Sequence, residues 1–443
     1  MPLQVLDART EEGSLQAMRN RSLWEGPDIA KHVAAVRRVV EDVQTNGDEA
    51  LCRYSKLVYG ANLTPDRLRV SLVDRDAGAR RVEKKVVTAL EGAADHIRQY
   101  HDNQKPSDWS MDREGALLGQ VFRPIKRVGV HAPAGGYPLP SSFLMAVVPA
   151  QSAGVDEIAV CCPAGPEGEV PDVMLAAAAV AGIDELYRIG GAHAIAAMAH
   201  GTPTIAPCDK VCGPGGLYTA LAKREVLGVV GIDGFYGPSE AAVVADDDAN
   251  PSYAAAELLK EAEHGPDSVA TLITTSEEVL GKTLQELETQ LRRLTRADAV
   301  RDTLAGHGLA VVVRDLEQAA AIVNDLAPEH LCIHVSDPVA FLSLVRAAGT
   351  ALLGGETPAT LSDYCAGPSA VLPTGGSARH TRGLSVLDFL TAINTVSYTG
   401  TALFRDAHIA DALSEAEGME AHRNALHLRL DAPNRRSDGS GEK

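Results

Sequence analysis

From Val128 onward the sequence alternates short β-branched runs with alanine-rich runs, and this alternation constrains the fold more than any other feature. "RVGVHAP" reads as a strand and "SSFLMAVVPAQSAG" as a helix; "EIAVCCP" and "DVMLAAAAVAG" repeat the pair, as do "ELYRIGG" and "AHAIAAMAHG". "KVCGPGG" then leads into "LYTALAKREVLG". Strands separated by helix-length segments pair in parallel, because a parallel connection must cross back over the sheet. The pattern resumes with "EAAVVADD", "SVATLITT", "LAVVVRD", "HLCIHVSD" and "TALLGG". The expected fold is α/β, with two Rossmann-like doubly wound domains over residues 129–238 and 239–381. Residues 1–128 read as a helical N-terminal part of the first lobe, since "DIAKHVAAVRRVVEDVQTNGDEALCRYSKLV" spaces its apolar residues by three and four. Residues 382–443 lose the alternation and read as a small C-terminal extension, with a tail, "DAPNRRSDGSGEK", expected to be disordered.

Composition narrows the classes of function. The 443 residues are 45% hydrophobic and 23% charged, which suits a soluble enzyme. A formal charge of −18, with no run of Lys and Arg, argues against nucleic acid and anionic membranes as partners. "MPLQVLDARTEEGS" has no apolar secretory core, and no apolar stretch is long enough to span a bilayer. Seven cysteines, an odd number with no CxxC pair, suggest a reduced, cytoplasmic protein without a disulfide framework.

The chain has no Walker A, HExxH or paired CxxC signature. Glycine turns at 190–201 and 213–223 could each present a helix N-terminus to a phosphate or simply pack. "LLKEAEHGPD" places Glu261 and His264 on one face if the helix continues through them. They are metal ligands or solvated residues ahead of a Gly-Pro stop. "NDLAPEHLCIHV" sets Glu329 and His330 at the mouth of a strand, a pair able to share acid–base work. "LSDYCAGPSAVLPTGG" carries Asp363, and "EAEGMEAHRNALHLRL" carries Glu417 and His422. Glu261, His264, Asp363 and His422 offer only oxygen and imidazole donors, a set suited to Zn²⁺ or another first-row divalent ion.

"GPSE", "LLKEAEHGPDS", "APEHL", "SDYCAGPSAVLPTGG" and "EAEGMEAHRNAL", in this order, resemble the histidinol dehydrogenase family from about residue 20 to about 430. The resemblance implies a zinc- and NAD-dependent homodimer that oxidises an amino alcohol such as L-histidinol through the aldehyde to the carboxylate. It implies one lobe inserted in the other and a C-terminal segment exchanged between subunits. Glu261, His264, Asp363 and His422 fall on its metal positions. Glu329 and His330 fall on its catalytic pair. Ser239, Glu417 and Ala370 fall on substrate positions, and His131, His193 and Gly216 on cofactor positions.

Some of these positions depart from the family. Glutamine is usual where this chain has Glu261, and histidine where it has Ala370. Tyrosine, glutamine and asparagine are usual at the positions of His131, His193 and Gly216. These departures define an alternative: a paralogue acting on another polar alcohol or metal-bound substrate, with weakened or lost use of NAD.

Overall fold

A computed structural model describes residues 3–9, 29–134 and 137–431. The tail from residue 432, expected to be disordered, lies outside the described residues. The chain divides into two compact units: residues 1–105 with 125–389, and residues 106–124 with 390–443.

The strands, in chain order, are β1 (Gln4–Asp7), β2 (Trp109–Arg113), β3 (Ala116–Pro124), β4 (Arg127–His131), β5 (Glu157–Cys161), β6 (Glu185–Tyr187), β7 (Lys210–Cys212) and β8 (Gly231–Ile232). There follow β9 (Glu240–Ala245), β10 (Val269–Thr274), β11 (Gly308–Val312), β12 (His330–His334), β13 (Thr350–Leu353) and β14 (Leu390–Tyr398).

The larger unit holds two all-parallel sheets, ordered β6-β5-β4-β7-β8 and β1-β11-β10-β9-β12-β13. In each, the chain winds outward from one strand and then returns to that strand's other side. The switch lies between β4 and β7 in the first sheet and between β9 and β12 in the second. β9 shows why the strands read as continuous apolar runs. Val243 and Ala245 pack on one face against Leu258 and Leu259, whereas Ala242 and Val244 pack on the other against Ile322 and Val323. A parallel sheet covered on both faces leaves no polar side, and each fully buried valine contributes about 1.5–3 kcal/mol.

The N-terminal segment is helical as expected, with strands besides. The helix Ile29–Tyr59 forms where the periodicity predicts, and Leu72–Arg81 and Lys84–Asp102 follow it. The same stretch also supplies β1, which pairs with β11 in the second sheet rather than joining the first lobe, and the hairpin β2–β3. Residue 128 lies inside β4. Residues up to Phe389 cluster with the larger unit, and the second unit joins 106–124 with 390–443.

The second unit is an antiparallel sheet, β14-β3-β2, with the helices Gly400–Ala416 and Glu420–Leu430. All five residues of β2 are exposed. Such short, exposed strands carry little periodic signal, which is why the sequence reads as a featureless connection there. All seven cysteines are free thiols. Among the described residues no helix is long and apolar enough to cross a membrane.

Candidate active site

The second lobe gathers its polar chemistry at one edge. His330 opens β12, paired in register with Ala241 of β9, so Glu329 lies beside the start of β9 and accepts a hydrogen bond from the Glu240 N–H at 3.0 Å. The helix Pro251–Ala262 begins with Pro251 at its first position and with the Asn250 side chain accepting from the Ser252 N–H. It runs back along the sheet and delivers Glu261, fully buried, to the same edge. Asp363 comes from the short helix Ala359–Tyr364.

The distances make one cluster. His330 Nε2 is 3.2 Å from Asp363 Oδ1, and His330 Nδ1 is 3.7 Å from Glu261 Oε2 and 4.0 Å from Glu329 Oε2. Ligand atoms of Glu261, Glu329 and His330 all lie within 4.8 Å of one another. A residue that the motif reading passed over completes the cluster. Lys260 Nζ is 2.8 Å from Asp363 Oδ2 and 3.3 Å from Glu261 Oε2.

These contacts set the charges. Burial pushes the Glu329 carboxyl up, above the ordinary carboxylate range, against the pull of His330, with Glu261 adding to the rise. Burial also acts to raise Asp363, but the hydrogen bond from His330 and the charge of Lys260 outweigh it and hold the carboxyl at about 2. Burial alone would lower both His330 and Lys260, yet the surrounding carboxylates raise them. Glu329 is therefore a carboxyl held near neutrality beside an ionised Asp363, the kind of separation that acid–base chemistry uses.

The site lies at the amino ends of β9 and β12. Open α/β sheets usually place ligands beyond the carboxyl ends. The helix after β9 explains the difference, because its own C-terminal end brings Glu261 back to the strand starts. That helix stops at Ala262, so His264 lies past its end, exposed, and does not share a helical face with Glu261 as the spacing suggested. Ser239 immediately precedes β9 and is half-buried; Ala370 is half-buried, its N–H against Met145 Sδ at 3.3 Å. The loops carrying these two are tied together: Gly237 N–H donates to Thr374 Oγ1 at 2.5 Å, and Gly375 N–H to Glu240 Oε1 at 2.8 Å. Glu417 and His422 belong to the second unit, where both are exposed.

The first lobe carries a separate cleft of about 540 Å³, lined by Arg38, Tyr54, Tyr59, His193, Gly216 and Tyr218 among others. It opens where the helices Gly191–His200 and Leu217–Val226 begin, after β6 and β7, at the carboxyl ends. Neither helix start is capped by a side chain. His193 lies 5.9 Å from Tyr54, ring centre to ring centre, in a stacked arrangement. His131 is not among the cleft residues. It is buried, and its Nδ1 donates to the Pro214 carbonyl at 2.7 Å while Nε2 accepts from the Gly191 N–H at 3.0 Å. The two partners fix a neutral tautomer, and burial holds the imidazole down at about 4. A second brace lies beneath the same turn. The Asp233 carboxylate accepts from the Gly213 N–H at 2.7 Å, and the buried Lys223 ammonium donates to Asp233 at 2.6 Å and to the Gly213 carbonyl at 2.5 Å.

A parallel α/β enzyme, with an open glycine-turn cleft on one sheet and a buried acid–base cluster at the edge of the other, is the class this arrangement defines. A family profile described as histidinol dehydrogenase matches residues 25–430. The histidinol dehydrogenase of a Synechococcus species is 41% identical over 402 residues, covering 90% of this chain and 93% of the relative. That of Halalkalibacterium halodurans is 40% identical over 412 residues, covering 93% and 96%. The crystal structure of histidinol dehydrogenase from Elizabethkingia anophelis superposes with a TM-score of 0.92 at 33% identity, covering 97% of this chain and 98% of that one. The chain belongs to the histidinol dehydrogenase family and is an oxidoreductase.

Proposed function

We propose that the protein oxidises L-histidinol, through the aldehyde, to the carboxylate, using NAD and one divalent metal, with Zn²⁺ the favoured ion. The observation that carries this reading is the His330 contact network: one imidazole within 4.0 Å of Asp363, Glu261 and Glu329, at a buried edge.

The residues fit the metal. Glu261 Oε1 is buried and has no hydrogen-bond partner, an arrangement that costs free energy unless something else occupies that oxygen. Glu261 and Asp363, with His264 and His422, would hold the ion. The bound metal supplies a fixed positive charge that orients the substrate hydroxyl. His330 would take the alcohol proton, and Asp363 at 3.2 Å would steady the resulting imidazolium; NAD, held in the first-lobe cleft, would supply the hydride acceptor. Glu329 takes a proton from the water that adds to the aldehyde stage, its carboxylate held in place by the Glu240 N–H. Ser239, Glu417 and Ala370 would contact the substrate.

The cleft fits the cofactor. Two uncapped helix starts offer N–H groups to a diphosphate, and Tyr54, Tyr218 and His193 offer faces for stacking. Within this reading His193 and Gly216 line the cofactor site, and His131 shapes it from beneath.

The homodimer is supported by the second unit. Its strand β14 and the helix Gly400–Ala416 expose Ile393, Val396, Phe404, Ile409 and Leu413, more large apolar side chains than so small a unit usually leaves in water. A C-terminal segment exchanged between subunits would cover such side chains and bring Glu417 and His422 to the partner's site. The domain organisation proposed is one lobe inserted in the other, consistent with β1 pairing into the second sheet. The charge of −18 supports a small-molecule enzyme of the cytoplasm rather than a partner of nucleic acid or membrane.

The test is absorbance of reduced cofactor from the zinc-loaded protein given histidinol and NAD⁺. Two equivalents of reduced cofactor per histidinol are expected; turnover of other polar alcohols but not of histidinol would replace the substrate and favour the paralogue.

A further inference from the structure

The buried pair Glu261 and Asp363 already has a cation between its carboxylates. Lys260 reaches it from the same helix. Residues adjacent in a helix do not face the same way, but a four-carbon stem spans the difference, and the ammonium ends 2.8 Å from Asp363 and 3.3 Å from Glu261. The Lys260 side chain keeps only 16% of its exposure, the Glu261 side chain none and that of Asp363 15%. Leaving both carboxylates at this depth without a counter-charge is strongly unfavourable. One oxygen, Glu261 Oε1, still lacks a partner, so the ammonium satisfies the pair only in part.

We propose that Lys260 is a resident counter-cation of the Glu261–Asp363 pair, and that a divalent metal entering this site displaces it. The inference rests on the metal reading given above. A first-row ion held here would draw on the oxygens of both carboxylates. Nζ now sits at 2.8 and 3.3 Å from oxygens of the same two groups. A dication and an ammonium sharing those oxygens repel strongly at this range and in this depth of burial. The ammonium is the mobile partner, since its stem can turn toward the solvent it already touches, while Glu261 is enclosed. Two consequences follow. Lys260 weakens the hold on metal, offsetting the second carboxylate that Glu261 adds. It also keeps the metal-free site folded. Once displaced, it stands at the rim as a positive charge beside the entering substrate.

The test uses the full chain stripped of metal with a chelator and then titrated with zinc. In Lys260→Met, which keeps the stem and loses the charge, zinc binds tighter by on the order of tenfold in chelator competition. The metal-free form of this variant melts several degrees lower than wild type. Lys260→Arg, which keeps the charge, stays near wild type in zinc affinity. A second measurement needs no variant. Amine labelling read by mass spectrometry modifies Lys260 faster in the zinc-loaded wild type than in the metal-free protein. Zinc affinity in Lys260→Met equal to or weaker than wild type, or labelling that does not rise with zinc, overturns the displacement. Failure of wild type and both variants to bind zinc at all removes the metal reading, and this inference with it.

Discussion

His330 Nε2 stands 3.2 Å from Asp363 Oδ1, a contact that joins the first residue of β12 to a short helix beyond β13. It ties the proposed base to a proposed metal ligand, so a change at either residue reaches the other. In His330→Asn, kcat with histidinol falls by about 10²–10⁴-fold, the usual scale for losing a positioned acid or base. The melting temperature of the metal-free protein stays within a few degrees, because Asp363 there keeps Lys260. Steady-state rates beside a thermal melt check this; a kcat within tenfold of wild type removes His330 from the chemistry.

Gly349 precedes β13 and leaves no room for a side chain. A Cβ there would stand 2.5 Å from the carbonyl oxygen of Glu329. Gly349→Ala therefore shifts the Glu329 backbone, and a displacement approaching an ångström at a reacting group costs on the order of 10²-fold in rate. Gly281, in a helix with nothing near its Cβ position, is the control. Gly281→Ala leaves the rate unchanged and adds about 0.5–1 kcal/mol of stability. Equal rates for both variants would show that Glu329 tolerates the shift.

His131 makes acid stability a readout of the first lobe. Its folded value of about 4 lies below the ordinary 6.5. As pH falls through 6.5 the unfolded chain takes up a proton that the folded chain refuses, so folding stability declines between about 6.5 and 4 and is fully present above that window. At pH 4.5 the loss through this one group is about 2.5 kcal/mol. His131→Gln, which cannot titrate, is less stable than wild type at pH 7 because a brace between two turns is altered. The gap narrows by about that amount at pH 4.5. Urea unfolding at the two pH values measures it, and a constant gap refutes it.

Lys223 and Asp233 form a buried pair with side-chain exposures of 1% and 0%. Removing either partner alone costs about 3–5 kcal/mol, since the other is left charged and dry. The double variant Lys223→Met with Asp233→Asn costs less than the sum of the two single changes. A double-mutant cycle by urea unfolding measures the coupling. Because the pair holds both backbone groups of Gly213, Asp233→Asn also raises KM for NAD⁺ more than it lowers kcat.

How much of this was legible along the chain depends on the range of the interaction. The parallel strands of both sheets announced themselves, because β-branched runs and alanine-rich helices obey local periodicities of two and 3.6 residues. β1 did not, since four residues at an edge take their meaning from β11, some three hundred positions away. Glu261, Glu329, His330 and Asp363 were marked by motif, and the structure brings these four together. Lys260 stood in the quoted stretch and went unread, because adjacency on a helix implies divergence and only a long stem overcomes it.

The sequence by itself determined the α/β class, the parallel pairing of its strands and the family. Only the tertiary structure decided that the cluster gathers at the amino ends of β9 and β12, that His131 braces two turns from beneath the cleft, and that an ammonium already occupies the carboxylate pair. The division has a physical cause. Periodicity and turn chemistry are local and survive in one dimension, whereas a buried charge is defined by what surrounds it, and its surroundings come from strands and helices far apart in the chain.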